Sequence, residues 1–278
     1  KRAFASGRTS AALVAVLVLA GCIATTRPPV SSTVPAMPTA GLQVYAVGDI
    51  ADCNHRAPAD SMAERTSRLV PDGALVLGLG DMAYPLGDAQ ALVSCYEPTW
   101  GRHRAMTLAT PGNHDYVRGN AGDFSQYFGA DVLRDGSYIA YNRALTEDWR
   151  LIALDSNVDG SVLQAQYDWL DRLFAEDAKA AARTPGCLLV MWHAPLYSSG
   201  FHRGSGDKMR PLWQLIDRHG ADLVLSGHEH FYERFDPLDA EGQSPGDSQA
   251  PRQFVVGTGG ARLHGFWKPP YRSKARVL

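Results

Sequence analysis

The sequence predicts a layered α/β fold in which mixed β-sheets are flanked by helices. Short apolar runs of strand length recur along the chain, and amphipathic segments of helical period separate several of them. Most of these runs are continuously apolar, which is typical of strands buried on both faces of a sheet. Two runs are separated only by a turn at 143–149, which indicates an antiparallel hairpin and therefore a mixed sheet.

The predicted elements begin at residue 42. They are a strand at 42–47, a helix from Asp60 to 70, strands at 74–79 and 106–109, a hairpin of 138–142 with 151–154, a helix at 164–182, a strand at 188–192, a helix at 209–219, and strands at 221–225 and 253–256. Asp60 is the expected helix N-cap. The polar segment 236–251 is expected to be a surface loop. Residues 268–278 are expected to complete no further element, which makes the C-terminus of the domain incomplete.

The first 22 residues have the pattern of an export signal. Basic residues precede an apolar run at 11–20, which is short for a membrane span of about 20 residues. The run ends in Leu19-Ala20-Gly21-Cys22, which resembles a bacterial lipobox. A lipidated Cys22 would anchor the protein on the extracytoplasmic side of the membrane, whereas an ordinary cleaved signal would give a secreted protein.

The next segment differs in composition from the rest of the chain. Residues 23–40 are rich in Thr, Pro and Ser, cannot bury a core, and are expected to form an extended tether. The folded domain is then 41–278, a comfortable length for one domain.

Net charge limits the possible binding partners, and cysteine content limits the possible disulfides. The formal net charge of -2 provides no global basic field for nucleic acid. In an oxidising compartment Cys53 and Cys95 could pair, since each follows a candidate ligand strand. The sequence leaves a disulfide and two free thiols both open.

Five short motifs, each after an apolar run, carry side chains that bind metals. They are Gly48-Asp49, Gly80-Asp81-Met82-Ala83-Tyr84, Gly112-Asn113-His114-Asp115, Val190-Met191-Trp192-His193 and Gly227-His228-Glu229-His230. A ligand that follows a strand end is delivered to one edge of a sheet. Asp81 could bridge two ions, and Glu229 is expected to point away from them. A two-metal site makes phosphoester hydrolysis the first hypothesis.

The order of these motifs resembles the calcineurin-like metallophosphoesterase superfamily, over residues 42 to about 264. Most of that superfamily has a metal-binding His where this chain has Ala51. The purple acid phosphatase branch lacks the same His and supplies a Tyr from the second motif, and Tyr84 stands at that place. The resemblance implies two mixed β-sheets packed face to face and flanked by helices, with the site at the sheet edges.

The resemblance also implies which residues bind each metal. The first ion would be held by Asp49, Asp81, Tyr84 and His230, and the second by Asp81, Asn113, His193 and His228. A phenolate suits Fe(III), so the first ion is expected to be ferric. The second is expected to be Fe(II), Zn(II) or Mn(II).

Two further histidines are candidates for catalysis. His114 is expected to contact the phosphate and protonate the leaving alcohol, with Asp115 hydrogen-bonded to its second ring nitrogen. His202 lies in a segment that resembles a substrate loop of the family, although a solvated loop His is an equal alternative, and Arg203 is a weaker candidate. The remaining histidines outside the motifs are expected to be structural: His55, His103, His219 and His264.

The predicted function is hydrolysis of exported small phosphomonoesters by in-line attack of a metal-bound hydroxide. A phosphodiesterase or nucleotidase would use the same ion pair. A non-catalytic metal-binding surface lipoprotein is the alternative from another functional class.

Overall fold

A computed structural model describes residues 15–18, 41–54, 56–116, 119–129, 138–179, 186–202, 204–244, 250–267 and 273–277. The predicted tether and Cys22 lie outside the described residues. Within them, no helix combines the length and apolar character needed to cross a membrane.

The first sheet has four strands in the order β1-β2-β3-β4. They are β1 (Ala15–Val18), β2 (Gln43–Val47), β3 (Leu75–Gly78) and β4 (Thr107–Ala109). Strands β2, β3 and β4 are parallel, whereas β1 pairs antiparallel with β2. Strand β1 belongs to the segment predicted to be an export signal, and that signal stays a prediction.

The second sheet has seven strands in the order β11-β9-β10-β8-β7-β6-β5. They are β5 (Tyr141–Ala144), β6 (Trp149–Ala153), β7 (Cys187–Met191), β8 (Leu223–Ser226), β9 (Tyr232–Pro237), β10 (Arg252–Val256) and β11 (Ser273–Val277). The central strands run parallel, and β5, β9 and β11 pair antiparallel with their neighbours. The predicted hairpin and the mixed sheet are confirmed.

The expectation that 268–278 completes no element is wrong, because β11 pairs with β9. Neither β9 nor β11 was predicted. Strand β11 is the edge strand and β9 lies between it and β10, and both carry charged residues, among them Glu233, Arg234 and Arg276. Charged side chains interrupt the apolar pattern by which a strand is predicted, and on the edge strand β11 they also discourage further strand pairing.

The main helices are α1 (Met62–Ser67), α2 (Ala89–Ala91), α3 (Glu97–Thr99), α4 (Gly122–Phe128), α5 (Gly160–Lys179) and α6 (Arg210–Arg218). A π-helical turn at Leu92–Tyr96 joins α2 to α3. The expected N-cap of the first helix is wrong by one residue. Asp60 ends a short 3-10 turn, and Ser61 caps α1 by accepting a hydrogen bond from the Glu64 amide at 3.1 Å.

The core has two layers, divided by the alternation of side chains along the second sheet. Leu151, Leu189 and Leu225 pack toward the first sheet, in one cluster with Val44 and Leu77. Their sequence neighbours Ile152, Val190 and Val224 pack in a second cluster with residues of α5 and α6. The two sheets are therefore packed face to face, with helices on the outside, as predicted.

A disulfide joins the loop after β2 to the helical segment before β4. Cys53 and Cys95 are bonded, with a Cα–Cα distance of 5.8 Å. The structure thus resolves an alternative that the sequence left open. The bridge ties the loop after Asp49 to a helix packed on the same core.

Candidate metal centre

All five motifs lie at the C-terminal ends of parallel strands. Asp49 follows β2, Asp81 follows β3 and Asn113 follows β4. His193 follows β7, and His228 follows β8. Because parallel strands present their C-terminal ends at one edge, the two packed sheets bring these side chains together.

Three of these residues hold a backbone conformation that side chains disfavour. The φ angles are 59° for Asp49, 52° for Asp81 and 71° for His228. A non-glycine residue in the left-handed region costs on the order of 1–3 kcal/mol, and such residues cluster at functional sites. The strain bends the chain sharply after each strand and turns the side chain into the shared edge.

Glycine is required where the motifs touch one another. A Cβ on Gly112 would lie 2.0 Å from Asp81 Oδ1 and 2.3 Å from the Asp81 amide nitrogen. Gly80 has a φ of +88°, and its Cβ would lie 2.5 Å from His193 Nδ1. The glycines that precede the polar residues in these motifs therefore allow the close approach of their loops.

The first group of donor atoms surrounds the Tyr84 hydroxyl. It lies 2.9 Å from Asp49 Oδ1, 3.0 Å from Asp81 Oδ2 and 3.1 Å from His230 Nε2. The other ring nitrogen of His230 donates to the Arg262 carbonyl at 2.7 Å. That hydrogen bond fixes the tautomer, so Nε2 of His230 can offer a lone pair to a metal.

The second group surrounds the Asn113 side-chain oxygen. It lies 3.1 Å from His193 Nε2 and 2.9 Å from His228 Nδ1. His193 donates from Nδ1 to the Leu79 carbonyl at 2.7 Å, which turns Nε2 toward the centre. That same Nε2 is 3.4 Å from Asp81 Oδ2, so Asp81 lies between the two groups.

The structure therefore brings all seven predicted ligand side chains to one place. Donor atoms of Asp49, Asp81 and His193 lie within 4.8 Å of one another. The set combines carboxylate, amide and phenol oxygens with imidazole nitrogens, which suits iron, zinc or manganese. The donor set and its convergence fit a metal centre.

The buried carboxylates and the histidines of the centre shift one another's pKa values. Burial acts to raise the pKa of Asp49 and Asp81, but neighbouring histidines outweigh it and hold both below the usual value. Burial and these two carboxylates raise the pKa of Tyr84. Burial alone would lower the pKa of His193, yet Asp81 raises it to about 9. Two buried anions with a phenol between them need added positive charge before the phenol can ionise.

His114 is held beside this centre through both its backbone and its ring. Its amide donates to Asp81 Oδ1 at 2.8 Å, and its Nδ1 donates to the Pro85 carbonyl at 2.6 Å. The ring centroid lies 4.6 Å from that of Tyr84. The proton on Nδ1 is committed to Pro85, so Nε2 is the ring atom available for proton transfer.

The expected hydrogen bond from Asp115 to the His114 ring is wrong, because the Pro85 carbonyl takes that place. The buried Asp115 carboxylate accepts from the amides of Asp81 at 2.9 Å and Gly112 at 2.8 Å. It also accepts from the Met82 amide at 3.3 Å. Asp115 thus joins two ligand loops through their backbones.

His202 reaches the rim of the centre. Its Nδ1 lies 3.3 Å from the His228 carbonyl and 3.8 Å from Glu229 Oε2. Glu229 is fully buried and accepts a hydrogen bond from the Ser198 hydroxyl at 3.0 Å. Glu229 therefore faces the loop that carries His202, in agreement with the expectation that it points away from the metals. Arg203 lies outside the described residues.

His264 is the residue that the sequence reasoning missed. It was expected to be structural, yet its ring stacks on that of His230 with centroids 4.2 Å apart and an interplanar angle of 15°. The available signal was its position after the glycine-rich end of β10, a sixth strand end. His103 and His219 contact Ser67 and Phe174, away from the centre, and His55 lies outside the described residues.

Comparison with known proteins agrees with this geometry. Residues 42–232, more than half of the chain, match the family model described as Calcineurin-like phosphoesterase. The chain therefore belongs to the calcineurin-like phosphoesterase family.

Within the family, the chain is similar to purple acid phosphatases. It is 34% identical over 124 residues to purple acid phosphatase 22 of Arabidopsis thaliana, covering 43% of this chain and 27% of the relative. It is 26% identical over 248 residues to purple acid phosphatase 1 of Ipomoea batatas, covering 78% of this chain and 50% of the relative. The chain thus spans at most about half the length of these relatives.

Solved structures show the same fold. Purple acid phosphatase PPD1 from yellow lupin (Lupinus luteus) seeds aligns with a TM-score of 0.61 and 16% identity, covering 86% of this chain and 50% of that chain. GAP50, described as the anchor in the inner membrane complex of Plasmodium, aligns with a TM-score of 0.61 and 14% identity, covering 84% of this chain and 77% of that chain.

Proposed function

We propose that the protein is an exported phosphatase that hydrolyses small phosphomonoesters at a two-metal centre. The observation that supports this best is the division of seven converging donors into two groups that share Asp81. The acid phosphatases among its relatives support the same reaction class.

The residues that would hold the metals follow from the two groups. Asp49, Asp81, Tyr84 and His230 would hold the first ion, and Asp81, Asn113, His193 and His228 the second. Bound ions would orient the phosphate and lower the pKa of an attacking water. The buried carboxylates keep the donor atoms in place, and the backbone hydrogen bonds of Asp115 hold the loops in register.

His114 would serve the leaving group. The hydrogen bond from Nδ1 to Pro85 fixes the ring, so that Nε2 of the doubly protonated imidazolium would give its proton to the departing alcohol oxygen and leave the neutral ring behind. His202 would supply a second contact to the phosphate from the opposite loop.

One experiment separates metal binding from proton transfer. Asp81→Asn is expected to lose both metal and activity, because it removes the shared carboxylate. His114→Ala is expected to keep the metal and to lose about 10²–10⁴-fold in kcat, since a general acid contributes about that factor. His219→Ala, remote from the centre, is the control. Full activity in a metal-free protein would contradict the proposal.

For the first metal we propose Fe(III), because Tyr84 provides a phenol oxygen that lies within hydrogen-bond distance of three other candidate ligand atoms. The second ion would be Fe(II), Zn(II) or Mn(II). A ferric phenolate gives a visible charge-transfer band, and Tyr84→Phe is expected to abolish that band. An iron-free protein without a band, or a band that survives in Tyr84→Phe, would contradict this assignment.

The fold alone does not determine the activity, since one structural neighbour is described as an anchor. The presence of all seven donors favours an enzyme over a non-catalytic lipoprotein. A phosphodiesterase or nucleotidase would use the same centre, and kcat/KM on a monoester against a diester distinguishes them.

Export is supported by the disulfide between Cys53 and Cys95, a bond typical of oxidising compartments. We propose lipidation at Cys22 as the mode of attachment, with secretion as the alternative. Mass spectrometry of the mature N-terminus decides between them: an acylated Cys22 supports the anchor, and an unmodified cleaved terminus supports secretion.

A further inference from the structure

We propose that Phe201 and Trp267 form an aromatic wall beside the metal centre and make the enzyme selective for phosphomonoesters with an aromatic leaving group. This inference rests on the proposed phosphatase function and deepens it. It assigns the substrate side of the centre to two residues outside the five motifs.

A cavity of about 590 Å³ opens next to the centre. Its lining residues in the described part of the chain are Phe201, His202, Arg262, Leu263, His264, Gly265, Phe266 and Trp267. That volume is within the usual range of about 300–1,000 Å³ for small-molecule sites. The cavity is thus large enough for a ring system attached to a phosphate.

Two histidines of the cavity lining, His202 and His264, contact candidate ligands. The ring of His202 lies 5.1 Å from that of His228, measured between centroids, and 5.1 Å from that of His264. His264 in turn stacks on His230. The cavity therefore adjoins the centre and is placed to receive the ester group of a phosphate held there.

Phe201 and Trp267 form the outer part of this cavity. Their side chains are 59% and 68% exposed, although both are large and apolar. Their rings meet edge to face, with centroids 5.4 Å apart and an interplanar angle of 81°. The Trp267 amide donates to the Ser199 carbonyl at 3.0 Å, which joins the two loops that carry the rings. A backbone link thus holds the aromatic pair in place.

The residues that line the cavity indicate which kind of ester group would bind in it. Five of the eight lining residues carry rings, and stacking on rings favours a planar aromatic group over an aliphatic one. Among the described residues of this lining, Arg262 is basic and none is acidic, so they do not repel an anionic ester. An aromatic group joined to a phosphate satisfies both conditions.

The test compares two monoesters on the metal-loaded full-length protein. The kinetic constants kcat and KM are measured for 1-naphthyl phosphate and for glycerol 3-phosphate. Trp267→Ala is expected to raise KM for the naphthyl ester about 3- to 10-fold, the factor expected for one aromatic contact, with kcat unchanged. KM for the glycerol ester is expected to stay the same.

Two further variants exclude a general structural effect. Trp267→Phe keeps a ring and is expected to restore most of the affinity for the naphthyl ester. Val93→Ala removes another exposed apolar side chain, 65% exposed and outside the cavity lining, and is expected to change neither substrate.

Equal effects of Trp267→Ala on both esters, or no effect on either, would overturn the inference. A wild-type protein that hydrolyses neither ester would contradict the proposed function instead. In that case calorimetric binding of 1-naphthyl phosphate tests the wall directly, and unchanged affinity in Trp267→Ala would overturn it.

Discussion

Asp115 provides the sharpest test of how the centre is built, because the sequence assigned it to catalysis and the structure places it against backbone amides. One carboxylate oxygen accepts from the amides of Asp81 and Gly112, and the other accepts from Met82. If Asp115 holds the loops through their amides, Asp115→Ala is expected to lose more stability than Asp115→Asn. If Asp115 were a catalytic partner of His114, the two variants would not differ in this way.

The expected losses of stability depend on how many buried amides lose their hydrogen-bond acceptor. Asp115→Ala leaves three buried amides without their acceptor, and each unsatisfied donor costs about 1–3 kcal/mol, so we expect a loss of roughly 3–9 kcal/mol in the free energy of unfolding. Asp115→Asn can place its amide oxygen against Asp81 and Gly112 and lose only the Met82 bond, for roughly 1–3 kcal/mol.

Urea unfolding of both variants measures these losses. Metal content, measured in parallel, shows whether the ligand loops can still bind metal. Because residues behind metal ligands typically contribute 10- to 100-fold in affinity, Asp115→Ala is expected to weaken metal binding by about that factor. If Asp115→Asn instead retained wild-type stability and metal but lost most of its kcat, Asp115 would act through chemistry and our interpretation would be wrong.

Two further predictions concern the scaffold. The disulfide closes a loop whose cysteines are 42 residues apart. Closing a loop of this length stabilises the folded protein by about 4 kcal/mol in the chain-entropy model. The double variant Cys53→Ala/Cys95→Ala is therefore expected to lose roughly 2–4 kcal/mol in the free energy of unfolding by urea, and an unchanged midpoint would contradict this. Burial raises the pKa of Asp155, against hydrogen bonds from Tyr116 and Asn157 that act to lower it. A carboxyl group whose pKa is raised by folding contributes stability that is fully present at pH values below its pKa in the unfolded chain. This contribution is lost as the pH rises through its pKa in the folded protein. Asp155→Asn is therefore expected to gain stability relative to the wild type as pH rises above about 4, and a pH-independent difference would refute this.

The side chains that the sequence and the family resemblance predict as ligands come together because each stands in a motif that follows a buried strand, and their role as metal ligands stays a prediction. An apolar run, a glycine and a polar residue specify a strand end by local chemistry alone. Parallel pairing then brings the ends of β2, β3 and β4 together, as it does for β7 and β8. The convergence of Asp49 and Asp81 thus follows from strand pairing within the first sheet, whereas that of His193 also requires the two sheets to pack face to face.

Features that depend on contacts between distant segments could not be predicted in the same way. The partner of His114 is a backbone carbonyl, which any residue could supply. The stacking of His264 on His230, and of Phe201 against Trp267, depends on where loops meet after folding. The edge strand β11 lacks an apolar run because its side chains are partly charged.

The central claim is that seven side chains at the joined edges of two sheets hold two metal ions. The metal content of the purified protein, measured as ions per chain by elemental analysis, tests it most directly. The account predicts two ions per chain, and the loss of both in Asp81→Asn because that carboxylate is shared. One ion or none in the wild-type protein under metal-replete conditions would contradict it.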